Sequence, residues 1–119
     1  MAFGTRDVLG VMREQAGDGL ADAPLRVDGG ASDNGWLMQF QADVLGAPVE
    51  RPDMIETTAL GAAGLAGVTT GIWSSAHEFL ARRRFTRFVP GTGVADALAG
   101  VAGWHRAVRA TLAWARDAG

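Results

Sequence analysis

Apolar residues recur at helical spacing in some stretches of the chain and bunch into short runs in others. Val8, Leu9 and Met12 share one face of a helix predicted over residues 5–16, with Thr5 as its N-cap. Gly17, Asp18 and Gly19 read as a helix stop and turn. Leu25-Arg-Val-Asp28, after Pro24, predicts a strand. A second helix starts at a Ser32 or Asp33 cap and runs to about residue 45. It places Leu37, Gln41, Val44 and Leu45 near one side, with Gly46 as the residue that ends it. Segment 47–52 is extended and bracketed by Pro48 and Pro52, which predicts an edge strand because proline donates nothing to a ladder.

Glu56-Thr-Thr58 opens a third helix, expected over 59–70. Gly61, Gly64 and Gly67 recur within it every three residues. Each glycine costs roughly 1 kcal/mol of helix stability relative to alanine. Close approach by a neighbouring element is the expected compensation. Ser74 or Ser75 starts a short helix to about residue 81. Arg82-Arg-Arg84 then leads into a strand over 85–90, and Gly91-Thr-Gly93 makes a turn. The last helix begins near 95 or 101 and ends near 116. Val101, Trp104, Val108, Leu112 and Ala115 form its predicted buried face, with Arg106 and Arg109 opposite. Strands alternating with helices make this an α/β fold, with few strands for a sheet standing alone.

The 119 residues suit one domain. Hydrophobic residues at 48 % against 20 % charged mark an ordinary globular chain. A net charge of −2 lacks the basic excess that nucleic acid or an anionic membrane selects. Cysteine is absent, which excludes disulfides, thiolate metal sites and a cysteine nucleophile. The first residues lack a signal-peptide layout, and the longest weakly polar run, 59–68, is far shorter than a membrane span. The expected location is the cytoplasm, with neither nucleic acid nor membrane as partner.

Candidate chemistry concentrates in Val27-Asp-Gly-Gly-Ala31. Glycine has no Cβ, so a flat base or ribose can lie against the main chain at Gly29 and Gly30. The helix start that follows presents N–H groups and a positive dipole end. Asn34 offers a donor and an acceptor to a base edge. The pattern is neither the Gly-Lys-Ser/Thr phosphate loop nor G-x-G-x-x-G, and a plain strand-to-helix turn would read the same way. Asp28 serves as ligand or base, or orders the turn. His77 and His105 have no second metal ligand at useful spacing. Arg82–Arg84 read as a phosphate contact or a solvated basic patch, and Trp36, Trp73, Trp104 and Trp114 as core or interface anchors. No catalytic triad, carboxylate pair or metal triad stands out.

A family resemblance joins these pieces. Val27-Asp-Gly-Gly-Ala31, Asn34, Leu37-Met-Gln-Phe-Gln-Ala-Asp-Val-Leu-Gly46, Pro48-Val-Glu-Arg-Pro52 and Glu56-Thr-Thr-Ala-Leu-Gly-Ala-Ala63 follow in order. Leu65-Ala-Gly67, Gly71-Ile-Trp73 and Gly103-Trp-His-Arg-Ala-Val108 come after, and Thr5-Arg-Asp-Val-Leu9 before. The run resembles the C-terminal end of the FGGY carbohydrate kinase family over nearly the whole chain. The Val-Asp-Gly-Gly opening and Val-Glu-Arg-Pro are most similar to the glycerol-phosphorylating branch. Other branches, such as the xylulose kinases, share the double glycine and Ala-Leu-Gly-Ala-Ala.

The resemblance implies part of an actin-like ATPase (ribonuclease H-like) domain, with residues 1–119 as a partial C-terminal nucleotide-binding domain. It implies ATP or ADP with Mg²⁺ as cofactor. It implies Gly30 and Asn34 as adenine-nucleotide contacts, flanked by Gly29 and Ala31, with the small-residue helix packed on the helix that follows Gly30. The family's first phosphate loop, polyol-binding residues, catalytic aspartate and second phosphate segment match nothing in this chain, so no residue here is catalytic. Two expectations follow. The chain is a nucleotide-side fragment that needs an N-terminal kinase domain, or it is a non-catalytic nucleotide-binding module that covers apolar surface by self-association.

Overall fold

The computed structural model describes residues 1–16 and 23–117, and the expected turn at 17–19 lies outside them. The elements are α1 (Ala2–Ala16), β1 (Leu25–Arg26), a 3₁₀ turn (Gly30–Asp33), α2 (Gly35–Leu45), β2 (Val49–Pro52), α3 (Thr57–Thr69), α4 (Ala76–Ala81), β3 (Phe85–Phe88) and α5 (Val94–Asp117).

The centre is α2, because its apolar residues cover two sides of the helix. Met38 and Ala42 pack with Val49 of β2, bordered by Leu25, Leu45 and Phe88. Val44 packs with Ala2 of α1 and Ala97 of α5, bordered by Phe3 and Phe40. Gln41 is buried between them and donates to the Ala2 carbonyl at 3.3 Å, which satisfies its amide nitrogen. The helix ends where it was expected to, at Gly46 in the left-handed region (φ 62°).

Strand order is β1-β2-β3, with β1 and β2 parallel and β2 and β3 antiparallel. β1, α2 and β2 therefore form a βαβ unit. The expected edge strand is in fact central. Pro48 precedes the strand and Pro52 is its last residue, opposite Phe85 of β3, so Val49, Glu50 and Arg51 between them keep their N–H groups for the ladder. The Pro48 and Glu50 carbonyls accept from Leu25 and Val27 at 2.9 and 3.0 Å. The pleat puts Leu25, Val49 and Phe88 toward α2 and Arg26, Glu50 and Arg87 on the opposite face. There the Glu50 carboxylate bridges Arg26 (3.4 Å) and Arg87 (3.3 Å).

Two further expectations change. Thr5 does not cap α1. The helix already starts at Ala2, and the Thr5 hydroxyl bonds back to the Met1 carbonyl at 3.3 Å. The glycines of α3 serve Trp73 and Phe79, not the helix after Gly30. A Cβ on Gly67 would meet the Trp73 ring at 2.5 Å, and one on Gly64 would run into the Phe79 ring. Gly61 faces open space. Gly61→Ala is therefore expected to raise stability by about 1 kcal/mol through helix propensity. Gly64→Val is expected to lower it by about 1–3 kcal/mol through overpacking. Thermal melts of the two variants check the opposite signs. As expected, Ser75 caps α4, accepting from the Glu78 N–H at 3.2 Å.

α1 and α5 are tied by Asp7. Its carboxylate accepts from Trp104 Nε1 at 2.7 Å and lies 3.0 Å from His105 Nε2. These bonds, His105's foremost, hold the Asp7 carboxyl below its ordinary value of 3.8. A carboxylate lowered by folding adds stability above the unfolded pKa and loses it as pH falls through the folded one. The stability gap between the parent and Asp7→Asn should thus hold above about pH 5 and close as pH falls below the ordinary carboxylate value of 3.8, in denaturant titrations. A gap that stays constant contradicts the Asp7 clasp.

The C-terminal half of α5 departs from its expected buried face. Val101, Trp104 and Val108 are half-buried, but Leu112 and Ala115 are exposed. Trp114 and Trp36 are also exposed, at 74 % and 70 %. Accessible surface totals 7989 Å², where scaling for a folded monomer of this size gives about 6,100 Å². The radius of gyration is 18.3 Å, against about 13.5 Å for a compact domain of this length. The excess, about 1,900 Å², is the size of a substantial protein interface.

Candidate functional site

The chain leaves β1 through Val27 and Asp28 and turns at Gly29. Gly29 has φ 76° and ψ 170°, a region that is essentially reserved for glycine. Its N–H donates to the Ile55 carbonyl at 3.1 Å. Its carbonyl accepts from the Ser32 N–H at 2.9 Å and the Ser32 hydroxyl at 2.7 Å, and Ser32 is buried. Gly30 and Ala31 follow on the exposed outer side.

The expected helix directly after the glycines is a single 3₁₀ turn, Gly30–Asp33. The α-helix begins one turn later, capped by Asn34 rather than by Ser32 or Asp33. Asn34 Oδ1 accepts from the Leu37 N–H at 3.0 Å. Ser32 cannot cap because its hydroxyl closes the turn on Gly29. With Oδ1 engaged by the cap, the acceptor expected to face a base edge is already in use, and the amide N–H₂ group lies outside that bond. Gly29, Gly30, Ala31 and Asn34 thus come together on one rim, beside the positive end of α2.

Three long-range contacts brace this rim. The Asp28 carboxylate accepts from the Thr57 hydroxyl at 2.6 Å, joining the end of β1 to the start of α3. Asp28 therefore orders the backbone through Thr57, not through its own turn. Gly29 is held by Ile55. Arg51 of β2 donates through Nη1 to the Ser32 carbonyl (3.0 Å) and the Asp33 carbonyl (2.9 Å), and its guanidinium lies 5.4 Å from the Phe88 ring centroid. Nothing in local spacing marks Arg51, since its partners lie 18 and 19 residues earlier.

A cleft of about 220 Å³ adjoins the rim at the carboxyl end of β1, lined by Arg26, Val27, Asp28, Thr57, Arg83 and others. Open α/β sheets bind ligands at that end of their strands. Gly30 and Asn34 stand outside the cleft, on open surface. They offer one wall and no enclosure. His77 and His105 join no metal set: among the described residues no group of three His, Cys, Asp or Glu could hold an ion. No described helix is long and apolar enough to cross a membrane.

The FGGY family of carbohydrate kinases, C-terminal domain, matches residues 1–70, which include the whole rim and Arg51. The chain belongs to this family. Among curated relatives, the glycerol kinase of Dechloromonas aromatica is 51 % identical over 116 residues, 97 % of this chain and 23 % of that protein. The glycerol kinase of Chromobacterium violaceum is 48 % identical over 118 residues, 98 % of this chain and 23 % of that protein. That of Azotobacter vinelandii is 49 % identical over the same length and shares. This FGGY chain thus spans about a quarter of the length of the relatives it matches. Likeness to them continues past residue 70, through α4, β3 and α5.

Proposed function

We propose that the chain forms the adenine-nucleotide side of an ATP-dependent glycerol kinase, as one part of a C-terminal nucleotide-binding domain. The observation that carries this reading is the bare glycine rim beside the α2 N-terminus. A Cβ at Gly29 or Gly30 would meet nothing within 4 Å, so the main chain there is open to a flat group. That fits a nucleoside. Gly30 would lie against it, with Gly29 and Ala31 on either side, and Asn34 would donate to a ring nitrogen or ribose hydroxyl. ATP bound with Mg²⁺ supplies the phosphoryl group in this class of reaction. The parallel β1-α2-β2 unit with antiparallel β3 fits a piece of an actin-like ATPase (ribonuclease H-like) domain.

Phosphoryl transfer relies on groups that position both substrates and neutralise developing charge. The rim supplies nucleoside contacts alone, so the chain is inactive by itself and works with an N-terminal kinase domain. The surplus surface on α1, α2 and α5 favours this over a self-sufficient binding module. Val49-Glu-Arg-Pro52 and the identity to glycerol kinases favour glycerol over xylulose. A cytoplasmic setting suits an ATP-dependent kinase.

Mixing the chain with the preceding part of the Dechloromonas aromatica enzyme tests this. ADP release is expected with glycerol in the mixture and none from the chain alone. Release with xylulose but not glycerol would move the chain to another FGGY branch. Release by the chain alone would overturn the one-wall reading.

A further inference from the structure

Two features of the sequence take no part in the nucleotide rim: the glycine repeat of α3 and Arg82–Arg84. The structure brings them together. Leu60, Gly64 and Gly67 lie along one face of α3 at i, i+4 and i+7. The two glycines seat the rings of Phe79 and Trp73, whose centroids lie 5.8 Å apart at 50°. Leu60, Trp73 and Phe79 line a mainly apolar cleft of about 250 Å³, and Arg82, Arg83 and Arg84 line it too. None of Gly29, Gly30, Ala31 or Asn34 does.

The charge balance is positive. Arg82 lies 3.6 Å from Glu78, and Asp53 adds one carboxylate to the lining. The lining thus carries three arginines against one aspartate, with Glu78 paired to Arg82 beside it. Arg82 and Arg83 are held over aromatic rings, at 4.8 Å from Trp73 and 5.2 Å from Phe85. Among the described residues Arg83 Nε is buried with no hydrogen-bond partner, a donor that a ligand acceptor would satisfy. The volume lies just under the usual range for drug-sized ligands, about 300–1,000 Å³, which suits one or two rings and not a whole nucleotide.

We propose that this cleft is a second ligand site, taking a small organic anion: a ring-sized apolar body on Leu60, Trp73 and Phe79, with a phosphate on the Arg82–Arg84 guanidinium groups. Arg83 also lines the cleft beside the rim, so the two clefts meet at that side chain, while Leu60, Trp73 and Phe79 line this one alone.

Calorimetry with 2-naphthyl phosphate tests it on the whole chain. Saturable binding is expected, with 2-naphthol and inorganic phosphate each weaker by at least about tenfold. Arg83→Gln should weaken the ester by about tenfold or more, while Arg109→Gln on the exposed side of α5 leaves it unchanged. In the unsubstituted chain, NOEs should join naphthyl protons to Trp73 and Phe79. That readout needs no variant to fold. Absence of those NOEs, or equal binding of naphthol, would overturn the proposal.

Discussion

Gly30→Val is expected to abolish adenine-nucleotide binding while leaving the fold nearly intact. Gly30 is exposed, and a Cβ there meets nothing within 4 Å. The stability cost should stay within about 1 kcal/mol, as for other surface changes. The isopropyl group would instead fill the space in which a nucleoside meets the main chain. A loss of at least about 100-fold in ADP affinity is expected, close to 2.8 kcal/mol. Gly29→Ala should behave in the opposite way. Its φ of 76° with ψ of 170° strains any side chain, at a cost of about 1–3 kcal/mol in stability. Calorimetric ADP titration and thermal melts on both variants separate the two roles. Unchanged ADP affinity in Gly30→Val would remove Gly30 from the site.

Arg51→Leu should be the most damaging single change to the rim. One nitrogen of Arg51 holds two carbonyls of the 3₁₀ turn, and hydrogen bonds from charged donors are the stronger kind. Leucine keeps the contact with Phe88 but leaves both carbonyls without that donor. The expected cost is about 2–3 kcal/mol, a large fraction of the total for any small domain. The Arg51–Asp33 ion pair adds little, being 3.9 Å long with Asp33 exposed. Asp33→Ala should therefore be near neutral. Urea titration of the pair of variants checks the contrast. Equal losses in the two would mean that Arg51 acts through charge and not through the carbonyls.

Much of the fold was legible because it is local. Gly46 ends α2 through its own backbone freedom, and Ser75 starts α4 through a hydroxyl three residues from its donor. These are contacts that a short window contains. The errors share the opposite character. Pro48 and Pro52 suggested an edge strand because proline removes a donor, but a four-residue strand can place both prolines at its ends and still pair on two sides. Gly64 and Gly67 announced a close neighbour, while its identity depended on how the chain folds back after Gly71. Thr5 and Ser32 had capping chemistry, and each spent it on a different carbonyl.

The site followed the same division. Gly29, Gly30, Ala31 and Asn34 lie within six residues, so their convergence could be read from order alone. Asn34's capping role was hidden, because Ser32 looked like an equally good cap until its hydroxyl closed on Gly29. Thr57 and Arg51 brace the rim from 29 and about 18 residues away. Their residue types carry no mark of that task. The exposed C-terminal end of α5 was not legible either, since Leu112 and Ala115 continue an amphipathic pattern that no described element covers.

The most direct test is a Mg·ADP titration of the ¹⁵N-labelled chain, followed through its backbone amide NMR spectrum. Saturable shifts centred on Gly30 and Asn34, with α5 amides unmoved, are the expected result. A dispersed spectrum in which Gly30 and Asn34 do not respond to ADP would contradict the nucleotide-wall account.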